Sequence, residues 1–178
     1  DTAMSGSGSI SNLTPIVVNA NTTLTLGDIT INTTPGNIQT VNGTMNYAGS
    51  AAQTISFNAA AQWKGLTVTN ALGVALNSLM KIITKLTLAL GAFTTNNNLT
   101  LGDGITTPDL SRSGGTISAA PTFGSNVDVE YAQNGSVITT GPELPTGAAV
   151  LRDLTINTTN NVTLEANNAT VNGVLTFT

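Results

Sequence analysis

Chemistry in a protein needs groups that titrate, ligate or attack, and this sequence offers few. It holds 9 acidic and 5 basic residues, with no histidine and no cysteine. Asp128 and Glu130 stand two apart in Val127-Asp-Val-Glu-Tyr131. On a strand both carboxylates project from one face, while Val127, Val129 and Tyr131 face the other. Such a pair could act as acid and base in glycan cleavage. With no histidine and no nearby cluster of Arg or Lys, a solvated strand face is the favoured reading. Asp28 and Asp103 each close a Leu-Thr-Leu-Gly-Asp phrase. Calcium would need several converging oxygens, as in glycine-rich nonapeptide repeats, and those repeats are absent. A corner aspartate bonding its own backbone is the simpler account. No catalytic residue, metal or cofactor is therefore assigned.

Three surface chemistries remain. The Thr pairs Thr23/Thr25, Thr67/Thr69 and Thr94-Thr95 suggest a hydroxyl ladder that orders water, as an ice-binding face would. That reading needs constant spacing on successive rungs, whereas the spacing drifts, and strand propensity already accounts for Thr outside and Leu inside. Asn-x-Ser/Thr triplets begin at Asn12, Asn21, Asn32, Asn42, Asn98, Asn134, Asn157, Asn161 and Asn168; in a glycosylating host these accept sugar. A chain so rich in Asn and Thr also makes them by chance. Trp63 and Tyr47 could stack on a saccharide, but a partly buried cap on the Ala-rich loop is the simpler role for Trp63.

The elements that would position these residues are short strands. From Arg152 to Thr178 apolar residues alternate as Leu154/Ile156, Val162/Leu164 and Val171 with Leu175/Phe177, separated by Asn- or Gly-containing corners. Alternation puts the Leu/Ile/Val set inward and the Thr set outward, and corners this short suit tight turns.

The recipe recurs. Asn21-Thr-Thr-Leu-Thr-Leu-Gly-Asp28 returns as Asn96-Asn-Asn-Leu-Thr-Leu-Gly-Asp103, and a longer unit led by Tyr47 and Leu66 returns at Tyr131 and Leu154. Repetition without helical spacing points to a solenoid whose coils cover one another's apolar faces. The expected fold is all-β, a right-handed parallel β-helix (β-solenoid), with an antiparallel β-sandwich as the alternative. Residues 1–15 read as a flexible lead-in or first turn, with Ile16 opening the first strand. Residues 16–178 form one domain, with loop excursions near 48–61, 105–126 and 139–149. The first of these, being Ala/Ser-rich, could hold a turn of helix. Leu26, Ile31, Leu66, Val68, Leu76, Leu86, Leu88, Leu101, Leu154, Ile156, Leu164, Val171 and Leu175 are expected to face inward.

Composition narrows the function classes. Only 8% of residues are charged while 40% are hydrophobic, the opposite of a disordered chain. The net charge is −4, and Lys64, Lys81, Lys85, Arg112 and Arg152 are scattered, which argues against nucleic acid. No apolar run approaches the ~20 residues of a membrane helix. The chain begins at Asp1 without an initiator Met, as a processed or trimmed product would.

Several phrases are characteristic: Leu99-Thr-Leu-Gly-Asp-Gly104, Ser113-Gly-Gly-Thr-Ile-Ser-Ala-Ala-Pro-Thr-Phe-Gly124, Val127-Asp-Val-Glu-Tyr131 and Thr139-Thr-Gly-Pro-Glu-Leu-Pro145. With Leu154-Thr-Ile-Asn157 and Val171-Asn-Gly-Val-Leu-Thr-Phe177, they resemble the Thr/Asn-rich repeats of large adhesin-like surface proteins exported by type IX secretion in the Bacteroidota. The resemblance runs from about Ile16 onward and is clearest after Leu99. It implies secretion, surface display and no catalytic residues. A sorting domain of the kind that usually ends family members is not recognisable here.

The functional expectation is a non-enzymatic, extracellular structural or adhesive segment: a stalk, fibre or filament of stacked coils. A glycan-active β-helix enzyme and an ice-binding protein are the alternatives. Its expected partners are neighbouring copies or other segments of the same surface protein, met through exposed strand edges, with glycans or cell surfaces as further candidates. Val174-Leu-Thr-Phe-Thr178 stops inside a strand phrase, so the chain is expected to be part of a longer polypeptide or to dock its last strand on a neighbour.

Overall fold

The fold was obtained as a computed structural model that describes residues 2–4, 8–10, 17–32, 40–56, 60–132, 136–165 and 168–178. Among these residues every regular element is a strand, and every strand pair is parallel. The chain is a β-solenoid, as the repeats implied, and the antiparallel sandwich is excluded.

Face A, the longest stack, orders nine strands along one path. It runs from Thr2–Met4 through Thr23–Leu26 and the second halves of Thr40–Tyr47, Ala61–Val68 and Met80–Leu88. It continues through Asp109–Arg112, Val127–Tyr131 and Leu151–Ile156 to Leu175–Phe177. Face B stacks six strands: Gly8–Ile10, Ile29–Asn32, Gln53–Ser56, Val74–Leu76, Ala92–Thr94 and Thr116–Ile117. Face C is made by the first halves of the three long strands, then Leu99–Leu101 and Thr122–Phe123. The long strands turn from face C to face A at register shifts between Val41 and Thr44 and between Trp63 and Gly65. At the first bend the chain crosses its predecessor so closely that a Cβ on Gly43 would lie 2.3 Å from the Thr22 carbonyl oxygen. Only glycine fits there.

Side-chain register explains the core. Leu24, Met45, Leu66, Leu86, Leu110, Val129, Leu154 and Leu175 form one inward column on face A. Val18, Val41, Trp63, Ile82, Leu101 and Phe123 form another on face C. Each inward residue lies in contact range of the residue one coil above and below, about 4.8 Å away, so the solenoid buries a continuous apolar shaft. Trp63, Leu66, Ile82, Leu86, Leu88 and Leu101 are all 0% exposed. Coil length varies from 19 residues between Leu110 and Val129 to 25 between Val129 and Leu154. The variation falls in the corners and in one bulge, not along the columns.

Polar residues close the corners. Gln53 and Asn70 are buried side by side: Asn70 Nδ2 donates to Gln53 Oε1 at 2.8 Å and to the Ala51 carbonyl at 2.7 Å, while Leu72 N–H donates to Asn70 Oδ1 at 2.9 Å. Such bonds satisfy backbone groups that the turn between strands leaves without a ladder partner.

Several expectations are corrected. Residues 105–126 are no loop excursion, because Asp109–Arg112, Thr116–Ile117 and Thr122–Phe123 contribute one strand to each face. The Ser/Gly-rich spelling marks their corners, and in the corner before Asp109 only Gly104 and Ile105 are exposed. Within 48–61 the described residues hold the strand Gln53–Ser56 and no helix, because alternate burial of Gln53 and Ile55 serves the stack better than a helical period. After the strand Ile138–Thr139 the chain runs through turns and bends to Leu151. Leu164 and Leu175 do not face a packed interior: they are 54% and 49% exposed. Ile156 and Val171 are only partly buried. The remaining inward expectations hold, except Ile31, whose side chain lies outside the described residues, as does Ile16.

Candidate functional site

Face A carries the most ordered outward surface. Its central outward column reads Thr25, Asn46, Thr67, Thr87, Ser111, Glu130, Thr155, Thr176. Six of these eight are Thr or Ser, so a hydroxyl ladder exists despite uneven sequence spacing. The neighbouring outward column reads Thr23, Thr44, Gly65, Lys85, Asp109, Asp128. It begins as threonine and ends as charge.

The drift that argued against an ice-binding ladder is thus absorbed in the corners, and that ground fails. A different one replaces it: the second column is not a threonine ladder beyond its first two rungs. Thr67 and Thr69 also separate, since Thr69 Oγ1 donates to Asn46 Oδ1 at 2.9 Å in a corner. Thr94 points outward from face B while Thr95 is fully buried.

The charged end of face A lines a shallow groove of about 350 Å³ between Lys85, Asp109, Ser111, Asp128, Glu130, Asp153 and Thr155. This is where the Asp128/Glu130 pair sits, side by side as the strand register required. Asp128 is occupied. Arg152 grips it in bidentate fashion, with Nε donating to Oδ1 at 2.7 Å and Nη2 contacting Oδ2, and Asp153 N–H donates to Oδ1 at 3.3 Å. Arg152 also lies 3.3 Å from Asp153 Oδ2, and the hydrogen bonds to Asp128 hold its guanidinium above its already high ordinary pKa. Glu130 accepts from Asn157 Nδ2 at 3.2 Å and from Ser111 Oγ at 3.4 Å. Sequence distance concealed Arg152, 24 residues beyond Asp128. One member of the candidate acid pair is thus held in an ion pair with Arg152.

The two corner aspartates behave differently. Asp103 follows the expected Asx pattern: Oδ1 accepts from the N–H groups of Thr106 at 2.7 Å and Ile105 at 3.0 Å. Those backbone bonds hold its carboxyl below the usual carboxylate range. Asp28 instead reaches the next coil, where it accepts from the Ser50 hydroxyl at 2.6 Å and the Ala51 N–H at 2.9 Å. The Ser50 hydroxyl is the main cause of its lowered pKa. Asp153 repeats the device, with Oδ1 accepting from Val174 N–H at 2.8 Å one coil on. These acids staple coils together. Among the described residues no group of three or more acidic side chains is arranged to hold a metal ion.

A buried polar cluster was not foreseen. Arg112 stands in an inward column between Leu88 and Tyr131, and its guanidinium pairs with Glu143, which is 0% exposed. Arg112 Nε donates to the Gly115 carbonyl at 2.7 Å and Nη1 to the Thr139 carbonyl at 2.9 Å. Tyr131 hydroxyl and Gly141 N–H donate to Glu143 Oε1 at 3.2 and 2.9 Å. Burial, and secondarily the Glu143 charge, push the Tyr131 phenol far above its ordinary value. The cluster anchors the turn-rich segment that stands where a third strand would otherwise run. The sequence signal was an acid enclosed in Pro142-Glu-Leu-Pro145, a run too apolar for a solvated carboxylate.

Trp63 and Tyr47 are both 0% exposed, so neither caps a loop nor stacks on a saccharide. Burial raises the Tyr47 phenol well above its usual pKa. Of the glycosylation triplets, Asn21, Asn42, Asn157, Asn161 and Asn168 are exposed and Asn98 is half-buried. Asn12, Asn134 and the side chain of Asn32 lie outside the described residues. Among the described residues no helix is long and apolar enough to cross a membrane. No family model, curated protein or solved structure matches this chain.

Proposed function

We propose that the chain is a non-enzymatic structural segment of a secreted cell-surface protein, serving as stalk or fibre and offering its outer faces to neighbours. The observation that carries this reading is the unbroken inward column from Leu24 to Leu175 beneath an outward ladder of Thr, Ser and Asn interrupted by Glu130. A stack of this kind lengthens coil by coil without changing its cross-section, the property a spacer needs. The tying of Asp128 to Arg152 and of Asp28 and Asp153 to the next coil supports a scaffold rather than an acid–base role. The Thr/Asn-rich phrases shared with adhesin-like repeats of type IX-secreted Bacteroidota proteins support export and display.

The test is twofold. Surface proteolysis of intact producing cells should remove an epitope placed in the exposed loop at Ile105, which is 91% exposed; protection of that epitope until lysis overturns surface display. Incubation with a panel of polysaccharides should release no product; cleavage lost in Asp128→Asn would replace the scaffold reading with the glycan-active one. Ice binding is the second reading, favoured by the six-hydroxyl ladder. Thermal hysteresis that disappears in Thr67→Lys would establish it.

A further inference from the structure

Charge divides this chain in two. Between Asp28 and Asp103 there is no acidic residue and all three lysines; from Asp103 onward stand seven of the nine acids and both arginines. Two of those later charges, Arg112 and Glu143, neutralise each other in the interior. The solenoid converts the sequence division into a gradient along one surface. On face A the outward rungs up to Lys85 carry Lys85 alone, with Lys64 exposed at the adjoining corner beside Thr44. The later rungs carry Asp109, Asp128, Glu130 and Asp153, against Arg152.

The sign changes at the middle of the ladder. Eight outward rungs run from Thr25 to Thr176, and the change falls between the fourth, Lys85/Thr87, and the fifth, Asp109/Ser111. A two-fold axis through that point superposes the basic half of one copy on the acidic half of another.

We propose that face A docks on face A of a second copy, antiparallel, with Lys85 of each copy opposite Asp109 of the other. The Lys64 corner then meets the Asp128/Glu130 rung, and Thr67 and Thr87 meet Glu130 and Ser111 of the other copy. The contact is isologous, so it closes at two copies. Thr, Ser and Gly take up most of the rungs beside the charges, the charged rungs line only a shallow groove, and nothing in the described structure covers the face. Among the described residues neither Lys64 nor Lys85 forms an ion pair within its own chain. Lys85 and Asp109 adjoin in register without reaching bonding distance, so both can turn to a partner. These two outward columns offer hydroxyls and charges but no aromatic or aliphatic anchor of the kind that carries most of the energy of a tight complex. The association is therefore weak, steered by charge and sensitive to salt. In an array of long stacks many such contacts act together. The inference goes beyond the scaffold reading and does not need surface display to be correct.

Sedimentation velocity of the whole chain over a concentration series tests it. The expected result is a reversible monomer–dimer equilibrium at low salt that shifts to monomer near ~1 M salt, where screening reaches about 3 Å. Lys85→Glu and Asp109→Lys should each weaken the dimer by roughly tenfold, and the double variant Lys85→Glu/Asp109→Lys should restore it. Circular dichroism of each variant must match the parent, which the exposure of both side chains permits. The chain has no cysteine, so oxidation of mixed Thr87→Cys and Ser111→Cys proteins reads the orientation directly. Cross-links between the two variants, in excess over links within each, support antiparallel docking. A monomer at every concentration in low salt, a dimer indifferent to Lys85→Glu, or a preference for Thr87→Cys homodimers overturns it.

Discussion

The coils between Thr40 and Leu101 and those between Leu151 and Phe177 use the same vocabulary of Thr, Asn, Leu and Val, yet they bury different amounts of it. In the first region strands of 8, 8 and 9 residues bend across two faces, and a third face closes the cross-section. In the second, strands of 6, 2 and 3 residues leave Leu164, Leu175 and Phe177 at 54%, 49% and 72% exposure. These last side chains line an open cavity of about 550 Å³ with Leu154 and Ile156. The residue type is not what differs. An inward side chain is buried by the coils on both sides of it, so burial belongs to the stack.

The deepest test of that contrast is Trp63→Ala. Trp63 fills the face C column between Val41 and Ile82 at 0% exposure, and its removal should cost about 3–5 kcal/mol of unfolding free energy in urea. A loss under about 1 kcal/mol would mean that the middle coils are no better packed than the last ones.

Glu143→Leu ranks next and probes the boundary between the regions. It leaves Arg112 in a nearly dry site, with 11% of its side chain exposed and no counter-charge. A loss of about 3 kcal/mol is expected from that orphaned cation. Because the Glu143 Oε2 oxygen has no hydrogen-bond partner among the described residues, the pair is imperfectly solvated from the outset. The double variant Arg112→Leu/Glu143→Leu should therefore recover most of the loss. Recovery of none of it would show that Glu143 acts on the segment through Gly141 and Tyr131 rather than through the ion pair.

These two sites also show what the sequence disclosed. Alternation of Leu154/Ile156 or Leu66/Val68 made strands legible because the side-chain period of a strand is two. The recurrences at Tyr47/Tyr131 and Leu66/Leu154 proved to be true structural repeats, four coils apart in the same columns. The echo of Leu24-Thr-Leu26-Gly-Asp28 in Leu99-Thr-Leu101-Gly-Asp103 is different: the first lies on face A and the second on face C. Both phrases encode a strand followed by a sharp corner, and a corner carries no information about which face precedes it. The partners of charged residues were hidden for a related reason. Asp128 meets Arg152, Arg112 meets Glu143 and Asp28 meets Ser50 at separations of one coil or slightly more, and uneven corner lengths keep that distance from being read off in advance. The candidate catalytic pair was therefore visible as two acids, while the arginine that pairs with Asp128 was not.

A smaller effect separates the two regions by pH. Asp28 holds its carboxyl below the ordinary value, chiefly through the Ser50 hydroxyl and the Ala51 N–H. A carboxylate with a depressed folded pKa contributes stability that is complete above its unfolded value near 4 and is lost as pH falls through the lower folded value. The parent should accordingly lose stability on acidification below about pH 4, and Asp28→Asn should show a shallower acid limb because one of the groups responsible is gone. Fluorescence of the buried Trp63 reports the nearby coils, and hydrogen exchange at Ala51 N–H follows the staple itself. An acid limb unchanged in Asp28→Asn would place the sensitivity in other carboxylates.

The smallest expected change is the most informative about the end of the stack. Leu175 pairs in register with Leu154 through its backbone, but its side chain is 49% exposed on the rim of the open cavity. Replacing it with threonine puts a β-branched strand former at the position and removes apolar surface that is already half in water. No closed void is created, so the cavity cost of a core truncation does not arise and the loss should stay below about 1 kcal/mol. Leu86→Thr, in the same column at 0% exposure, should cost several times more, since it both deletes buried contacts and inserts a hydroxyl without a partner. Urea titrations of the two variants at low and high protein concentration give the comparison its sharpest form. Equal losses at both positions would show that Leu175 is covered in solution, and a loss at Leu175 that grows with concentration would identify the cover as another copy of the chain.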